Sequence, residues 1–375
     1  MLAEQARRCI EWIEQELELR AAAIDAQGEF PADLLEAFAA RGLFAACVPP
    51  SYRGQGLDAV SIGAVCEALG RASASALSLF TVHTMVSTAI GRWGTDTQRD
   101  RWLGRLADGS TIGALALTEP EAGSDVNGVQ TVLRRSGDSI VVSGVKTWIS
   151  FGRVAGVFLV SGKLDGQLAA VLVDRSAPGV AVDPILDMFG FRASMLARVT
   201  FRDCKVPATS LLGNPAFGLA QIVGSVLDHG RYCIAWGAAG LAGACLRAAV
   251  DYATRRQQFG RPLASHPLVQ RLLTTMMVDS RAARLMCRDA ARARDERRPD
   301  LLARTVAAKY FAARAADQCA STALQIHGAN GLTEDSPVQR YLRDAKVFNL
   351  IEGSTQIQEM LLATEAVQWL EEWGD

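Results

Sequence analysis

Apolar residues recur at helical spacing through the first third of the chain, as in Cys9, Ile13 and Leu17 and again in Leu34, Leu35, Phe38 and Leu43. That periodicity predicts amphipathic helices. Gly42, the run Pro49-Pro50-Ser51-Tyr52-Arg53-Gly54, and Gly94-Thr95 punctuate the region as helix ends and loops. From about Thr111 the pattern changes to short β-rich runs, Ile140–Val142, Val157–Val160 and Ala170–Val173, separated by Gly, Asp and Ser. Asp165-Gly166 lies between two of these runs and predicts a hairpin turn. Val199 and Phe201 alternate with Arg198, Thr200 and Arg202, as in a half-buried strand. From Leu219 the helical period returns, with Leu268, Leu272 and Met276 on one stripe and Leu302, Val306 and Tyr310 on another. The order predicts an α+β protein in which a middle β-barrel or sandwich domain (113–218) lies between an N-terminal helical domain (1–112) and a C-terminal helical bundle (219–375).

Composition narrows the function classes. With 49% apolar and 21% charged residues in 375, disorder and low-complexity sequence are excluded as the main content. Lys+Arg number 39 against 40 Asp+Glu, a formal charge of -1, so the overall balance attracts neither nucleic acid nor anionic lipid. The longest apolar and glycine stretch, Ile234 to Leu246 between Arg231 and Arg247, is short of the ~20 residues of a membrane span and predicts a buried helix. Glu4 and Glu11 interrupt the N-terminus, which fits neither a secretory signal nor an acid-poor transit peptide, so cytoplasmic residence is the expectation. The eight cysteines form no CxxC pair and read as reduced core residues. His83, His229, His266 and His327 lack metal-ligand spacing and read as loop or surface residues. No P-loop and no GxGxxG after a strand is present, so neither metal nor nucleotide-triphosphate chemistry is expected.

Four segments could carry chemistry. Leu117-Thr118-Glu119-Pro120-Glu121-Ala122-Gly123-Ser124-Asp125 has the composition of a binding loop, and equally of an ordinary turn. In Lys146-Thr147-Trp148-Ile149-Ser150 a strand would set an indole and a hydroxyl two residues apart on one face, suited to a planar cofactor, unless Trp148 is simply core. Arg255-Arg256-Gln257-Gln258-Phe259-Gly260-Arg261-Pro262 ends a helix with cations that suit a pyrophosphate or merely the helix dipole. Glu352 stands between Leu350-Ile351 and a glycine, where desolvation would raise its pKa toward that of a general base. Its alternative role is to precede Ser354, the N-cap of the last helix.

In this order and at this chain length, the motifs LTEPEAGSD, KTWIS, RRQQFGRP, QIHGANG (325–331), YLRDAK and IEGSTQIQ resemble those of the acyl-CoA dehydrogenase family of flavoenzymes, over nearly the whole chain. The resemblance implies a C-terminal four-helix bundle, FAD as cofactor, and a homodimer or homotetramer. It implies that Leu117, Thr118, Ser124, Trp148, Ile149 and Ser150 hold the flavin, with Ser124 also near the pantetheine and Ser150 approaching flavin N5. Arg256, Gln258, Phe259, Gln325 and Gly328 would reach a neighbouring subunit's FAD, and Ser354 and Gln356 its adenine end. Glu352 would remove the proton α to a thioester carbonyl while a hydride leaves the β-carbon. The carbonyl would be polarised by a ribityl hydroxyl and the backbone N–H of Glu352. Asp228, Arg231, Ile351 and Gly353 complete the implied substrate site, although a helix-start salt bridge accounts for Asp228 and Arg231 nearly as well.

The sequence departs from the family pattern at Pro267, Ile351 and Ala329, where glutamine, tyrosine and glycine are common. The implied substrate is a short- or medium-chain acyl-CoA, with an electron-transfer flavoprotein as an electron acceptor. Gly230-Arg231 to Ala235-Trp236-Gly237, the FGRPLASH run and IEGS are also similar to dehydrogenases of polyketide and peptide-antibiotic pathways acting on carrier-protein-bound acyl units. Further alternatives on the same fold are a flavin oxidase or monooxygenase, disfavoured by Glu352 and the chain length, and a flavin-loaded partner without turnover.

Overall fold

The computed structural model describes residues 2–214 and 222–373. The chain begins with helices α1 (Glu4–Trp12), α2 (Glu18–Gln27), α3 (Ala32–Ala40), α4 (Ala59–Ala72), α5 (Ala74–Trp93) and α6 (Asp96–Ala107). Local chemistry sets their starts. Asp58 accepts from the Ser61 N–H at 2.7 Å ahead of α4, and Thr95 and Gln98 form a reciprocal capping box at α6. Trp12, Phe30, Phe38 and Phe44 pack as neighbouring aromatic pairs at the centre of this helical layer.

The sheet follows: β1 (Gly113–Ala116), β2 (Val132–Ser136), β3 (Ser139–Ile149), β4 (Val157–Leu164), β5 (Gln167–Asp174), β6 (Val180–Pro184), β7 (Ala197–Pro207) and β8 (Leu211–Leu212). Its strands lie in the order β6-β7-β3-β2-β4-β5-β8, with β1 parallel to β4. Asp165 and Gly166 join β4 to β5 at φ 51° and 82°, the left-handed pair that lets a two-residue turn follow the strand twist. Val199 and Phe201 of β7 point into the sheet core while Arg198 and Arg202 face outward, as their alternation predicts.

The last part of the chain holds α7 (Gly224–Arg255), a short hairpin of β9 (Gln257–Gln258) and β10 (Arg261–Pro262), then α8 (Pro267–Asp295), α9 (Leu301–His327), α10 (Pro337–Phe348) and α11 (Thr355–Trp373). Pro267 occupies the first turn of α8, where its fixed φ suits the helix and its missing N–H breaks no bond. Helix α7 is the axis of the molecule. A Cβ at Gly70 of α4 would strike the Gly237 backbone, and one at Gly240 the Glu67 carbonyl of α4, each at 2.1 Å, so bare backbone lets α4 and α7 meet.

One expectation holds here and two change. By length and composition α5 and α7 could each cross a membrane, but 83% and 72% of their apolar windows are buried inside the protein, so both are core helices. Leu268 and Leu302, read as stripe positions, are 73% and 57% exposed, because each lies in the first turn of its helix, beyond the packed stretch. His83, His229 and His327 are buried within helices, satisfied by the Leu106 carbonyl, the Thr84 hydroxyl and the Ala323 carbonyl at 3.1, 2.9 and 2.8 Å. Only His266, half-buried in the loop ahead of α8, matches the loop-or-surface reading.

Candidate active site

Helix α10 delivers the chain to a turn at Asn349–Ser354, and the Ser354 hydroxyl then accepts from the Ile357 N–H at 3.4 Å to cap α11. Within the turn Glu352 and Gly353 take φ of 54° and 85°. The left-handed conformation costs a non-glycine residue about 1–2 kcal/mol, so surrounding bonds must hold it. Gln358, fully buried, donates Nε2 to the carbonyls of Glu352 and Gly353, both at 3.2 Å. Lys309 of α9 donates Nζ to the Gly353 carbonyl at 2.6 Å.

This turn aims the Glu352 carboxylate at α7. A Cβ built on Gly230 would fall on the carboxylate, 2.6 Å from Cδ, and lie 2.8 Å from Met85 Cε. Bare backbone at 230 is therefore what makes room for the acid. Glu352 Oε2 is buried without a hydrogen-bond partner. Burial pushes the carboxyl up to about 7, opposed by the nearby Arg231 and Lys309 cations. An enclosed acid with one open oxygen is equipped to receive a proton from a bound molecule.

A second constellation fixes the loop after β1. Lys146, fully buried in β3, donates Nζ to the Leu117 carbonyl and to Glu119 Oε1, each at 2.8 Å, and to Ser161 Oγ at 3.2 Å. Glu119 also accepts from the Thr131 hydroxyl at 2.6 Å and from the N–H groups of Thr131 and Gln130 at 2.9 and 2.5 Å. Burial alone would raise the Glu119 pKa, but these donors, Lys146 first, hold it below the ordinary value. Burial brings the Lys146 ammonium down to about 8 despite its partner. The Thr147 N–H donates to the Thr118 carbonyl at 2.9 Å, closing the loop against the strand.

Trp148 corrects the sequence reading. It has φ 59° within a register shift between Lys146 and Ile149, and it is 55% exposed. The positive φ interrupts the two-residue alternation, so a common face for Trp148 and Ser150 no longer follows from spacing, and the indole is not core. Ile149 is buried and Ser150 partly so, in the turn beyond the strand, while Ser124 is exposed on the loop. The exposed indole beside a backbone-pinned loop, with the buried and unpartnered Ser194 hydroxyl near the strand's end, fits the planar ring and polar edge of a flavin.

The segment Phe191–Met195 ties this strand to the Glu352 turn. The Phe151 N–H donates to the Ser194 carbonyl at 2.8 Å. The Phe191 N–H donates to the buried Asp344 of α10, also at 2.8 Å, and the Phe191 and Phe348 rings meet edge to face at 5.1 Å.

The remaining candidates separate. Arg256, Gln258 and Phe259 project beyond the C-terminus of α7, Phe259 being 95% exposed. They share one end of the molecule with the exposed Gln325 and Gly328, because Tyr252 of α7 stacks on His327 at 4.2 Å and accepts from Asn330 Nδ2 at 2.8 Å. Gln356 is exposed on α11. Asp228 is paired with Arg294 of α8 at 2.6 Å, and Arg294 also reaches Thr305, so its salt bridge runs to another helix and not to Arg231. Arg231 and Ile351 are partly buried around the turn, and Arg231 Nε has no hydrogen-bond partner. Sequence reasoning missed Lys309, and it quoted Glu119, Lys146, Gly230 and Gln358 within motifs without a role. A lone lysine in the alanine-rich stretch Val306–Ala316 was the one available signal for Lys309.

Family models described as acyl-CoA dehydrogenase N-terminal, middle and C-terminal domains match residues 1–110, 114–204 and 217–367. The probable acyl-CoA dehydrogenase YngJ of Bacillus subtilis is 35% identical over 365 residues, 96% of each chain. Among solved structures, butyryl-CoA dehydrogenase from Megasphaera elsdenii superposes with a TM-score of 0.93 at 29% identity, covering 98% of this chain and 99% of that one. FkbI, described as for biosynthesis of the methoxymalonyl extender unit of a polyketide immunosuppressant, has a TM-score of 0.89 at 32% identity, covering 97% and 99%. The chain therefore belongs to the acyl-CoA dehydrogenase family, FAD-dependent oxidoreductases acting on CH–CH donors.

Proposed function

We propose that this protein desaturates a short- or medium-chain acyl-CoA between its α- and β-carbons, with Glu352 as the catalytic base. The observation that carries the reading is the enclosed Glu352 carboxylate, its Oε2 open and its pKa pushed up to about 7. Glu352 Oε2 takes the α-proton, the Cα–H electron pair becomes the new C=C bond, and a hydride leaves the β-carbon. FAD, when bound, supplies the acceptor for that hydride. The α-proton of a thioester is a weak acid, so the carbonyl must be polarised, and the backbone N–H of Glu352 is the chain's own donor for it. Trp148 and the pinned Leu117–Thr118 segment would bound the flavin and exclude water from its ring, with Ile149 and Ser150 beside it.

Anaerobic mixing of the flavin-loaded protein with butyryl-CoA tests the proposal. Loss of the visible flavin band is expected, and a band that persists with every short and medium acyl-CoA would overturn it. A second reading, desaturation of a carrier-protein-bound acyl unit, is favoured by the 32% identity to FkbI across 97% of the chain. Bleaching by acyl-carrier proteins alone would select it. We assign an electron-transfer flavoprotein as electron acceptor. The exposed Arg256, Gln258, Phe259, Gln325 and Gly328 support a homodimer or homotetramer in which they reach a neighbour's cofactor, with Ser354 and Gln356 toward its adenine end. A monomeric sedimentation profile for the loaded protein would contradict that assembly.

Gly230→Ala is expected to lower the limiting bleaching rate about 100-fold, the scale of a 1 Å misplacement, because the new methyl group occupies the carboxylate's place. Stopped-flow measurement checks this, and a wild-type rate would mean that the acid does not work from this position.

A further inference from the structure

Lys309 is a buried cation whose position calls for an explanation. Its side chain is 0% exposed, on a buried face of α9 shared with Thr305, Ala312, Ala313 and Ala316. Among the described residues it forms no ion pair with a carboxylate, and the hydrogen bond it makes is to the Gly353 carbonyl. Ammonium groups in protein interiors are ordinarily paired, because burial without compensation is strongly unfavourable. A neutral donor would serve to hold that carbonyl, so hydrogen bonding alone gives no reason for a full charge at this place.

The Glu352 carboxylate supplies the reason. The charged and titratable groups facing it are Arg231, His229 and Cys233 from α7 and Lys309 from α9, and Met85 closes the side toward α5. His229 is engaged with the Thr84 hydroxyl at 2.9 Å and lies 3.5 Å from the Cys233 thiol. Two cations, Arg231 and Lys309, flank the acid without capturing Oε2, which stays open; burial brings the Lys309 ammonium itself down to about 8, with the Glu352 charge opposing that shift. A cation that grips the backbone next to the base, and not the base itself, can favour its ionised form without competing for the substrate proton.

We infer that Lys309 is a positioning residue for the α-proton transfer: through the Gly353 carbonyl it holds Glu352 in its left-handed turn, and through its charge it favours the carboxylate form of the acid beside it. The inference rests on the reading of Glu352 as the base. It divides into a geometric part and an electrostatic part, which different substitutions separate. Lys309→Gln retains a donor toward Gly353 and removes the charge, Lys309→Met removes both, and Lys309→Arg retains both.

The test uses the flavin-loaded proteins, butyryl-CoA as probe, the limiting bleaching rate against pH, and amide hydrogen exchange across residues 350–354. For Lys309→Gln the midpoint of the pH profile is expected to move up by about one unit, with KM and turn exchange close to wild type. For Lys309→Met the same shift is expected together with faster exchange of the turn. Lys309→Arg is expected to restore both readouts. If Arg alone yields a folded protein with the wild-type midpoint, the site requires the charge and the inference stands. A Gln or Met variant with the wild-type midpoint overturns the electrostatic part, and wild-type exchange in the Met variant overturns the geometric part. Wild type and Glu352→Gln are run alongside. Failure of wild type to bleach, or full activity in Glu352→Gln, would remove the proposed base instead, and the exchange readout would still report on Lys309 separately.

Discussion

Replacing Glu352 with glutamine is expected to lower the limiting rate of flavin bleaching by about 10²- to 10⁴-fold, the range in which a positioned acid or base contributes. The flavin spectrum should remain. Glutamine matches glutamate in shape, can keep the left-handed backbone and leaves the carbonyl bonds from Gln358 and Lys309 in place. What it lacks is an oxygen able to take a proton. Stability should move the other way. Burial raises the folded-state pKa of Glu352 from 4.5 to about 7, so the folded protein binds this proton more tightly than the unfolded chain does. The acid's unfavourable contribution grows as pH rises through that interval and is complete above it. Glu352→Gln should therefore melt at a higher temperature than wild type above pH 7, a difference that shrinks on acidification. A variant that bleaches at the wild-type rate would dismiss Glu352 as the base.

Lys146→Met should be the most damaging substitution outside the acid's own turn. Breaking a buried pair by removing one partner costs about 3–5 kcal/mol, because the other charge is left uncompensated. Here the stranded group is Glu119, buried in the same network, and the Leu117 carbonyl loses its donor as well. The methionine fills the space but cannot donate. We expect a fall in denaturant midpoint together with loss of bound flavin, since the loop from Leu117 to Glu119 is released from β3. Equilibrium unfolding and the flavin-to-protein absorbance ratio check the two effects. A variant with wild-type stability and full flavin content would show that the loop is held by other contacts.

The layer order was legible in sequence because hydrophobic period is a local property: helices α1 to α6, the runs that became β3, β4 and β5, and the Asp165-Gly166 turn all follow from neighbours within a few residues. Glu352 was legible as a candidate base for the same reason, an acid between Leu350-Ile351 and a glycine. What failed were features set by distant parts of the chain or by unusual backbone. No local signal announces a positive φ at Trp148, and that φ overturned the alternation argument there. The histidines looked like loop residues because their partners lie on other helices or one turn away, as with His229 and Thr84 of α5. Gly230 reads as one more glycine in an apolar helix until the turn from α10 brings a carboxylate onto it.

The most direct test of the central claim is the pH dependence of the limiting bleaching rate of the wild-type protein with butyryl-CoA. Only the ionised form of Glu352 can accept the α-proton, and burial sets its ionisation near 7. The rate should rise with pH to a plateau, with a midpoint close to 7 and about a tenfold loss per unit on the acid side. A rate that is flat through this range, or that falls as pH rises, would contradict the assignment of Glu352 as the base.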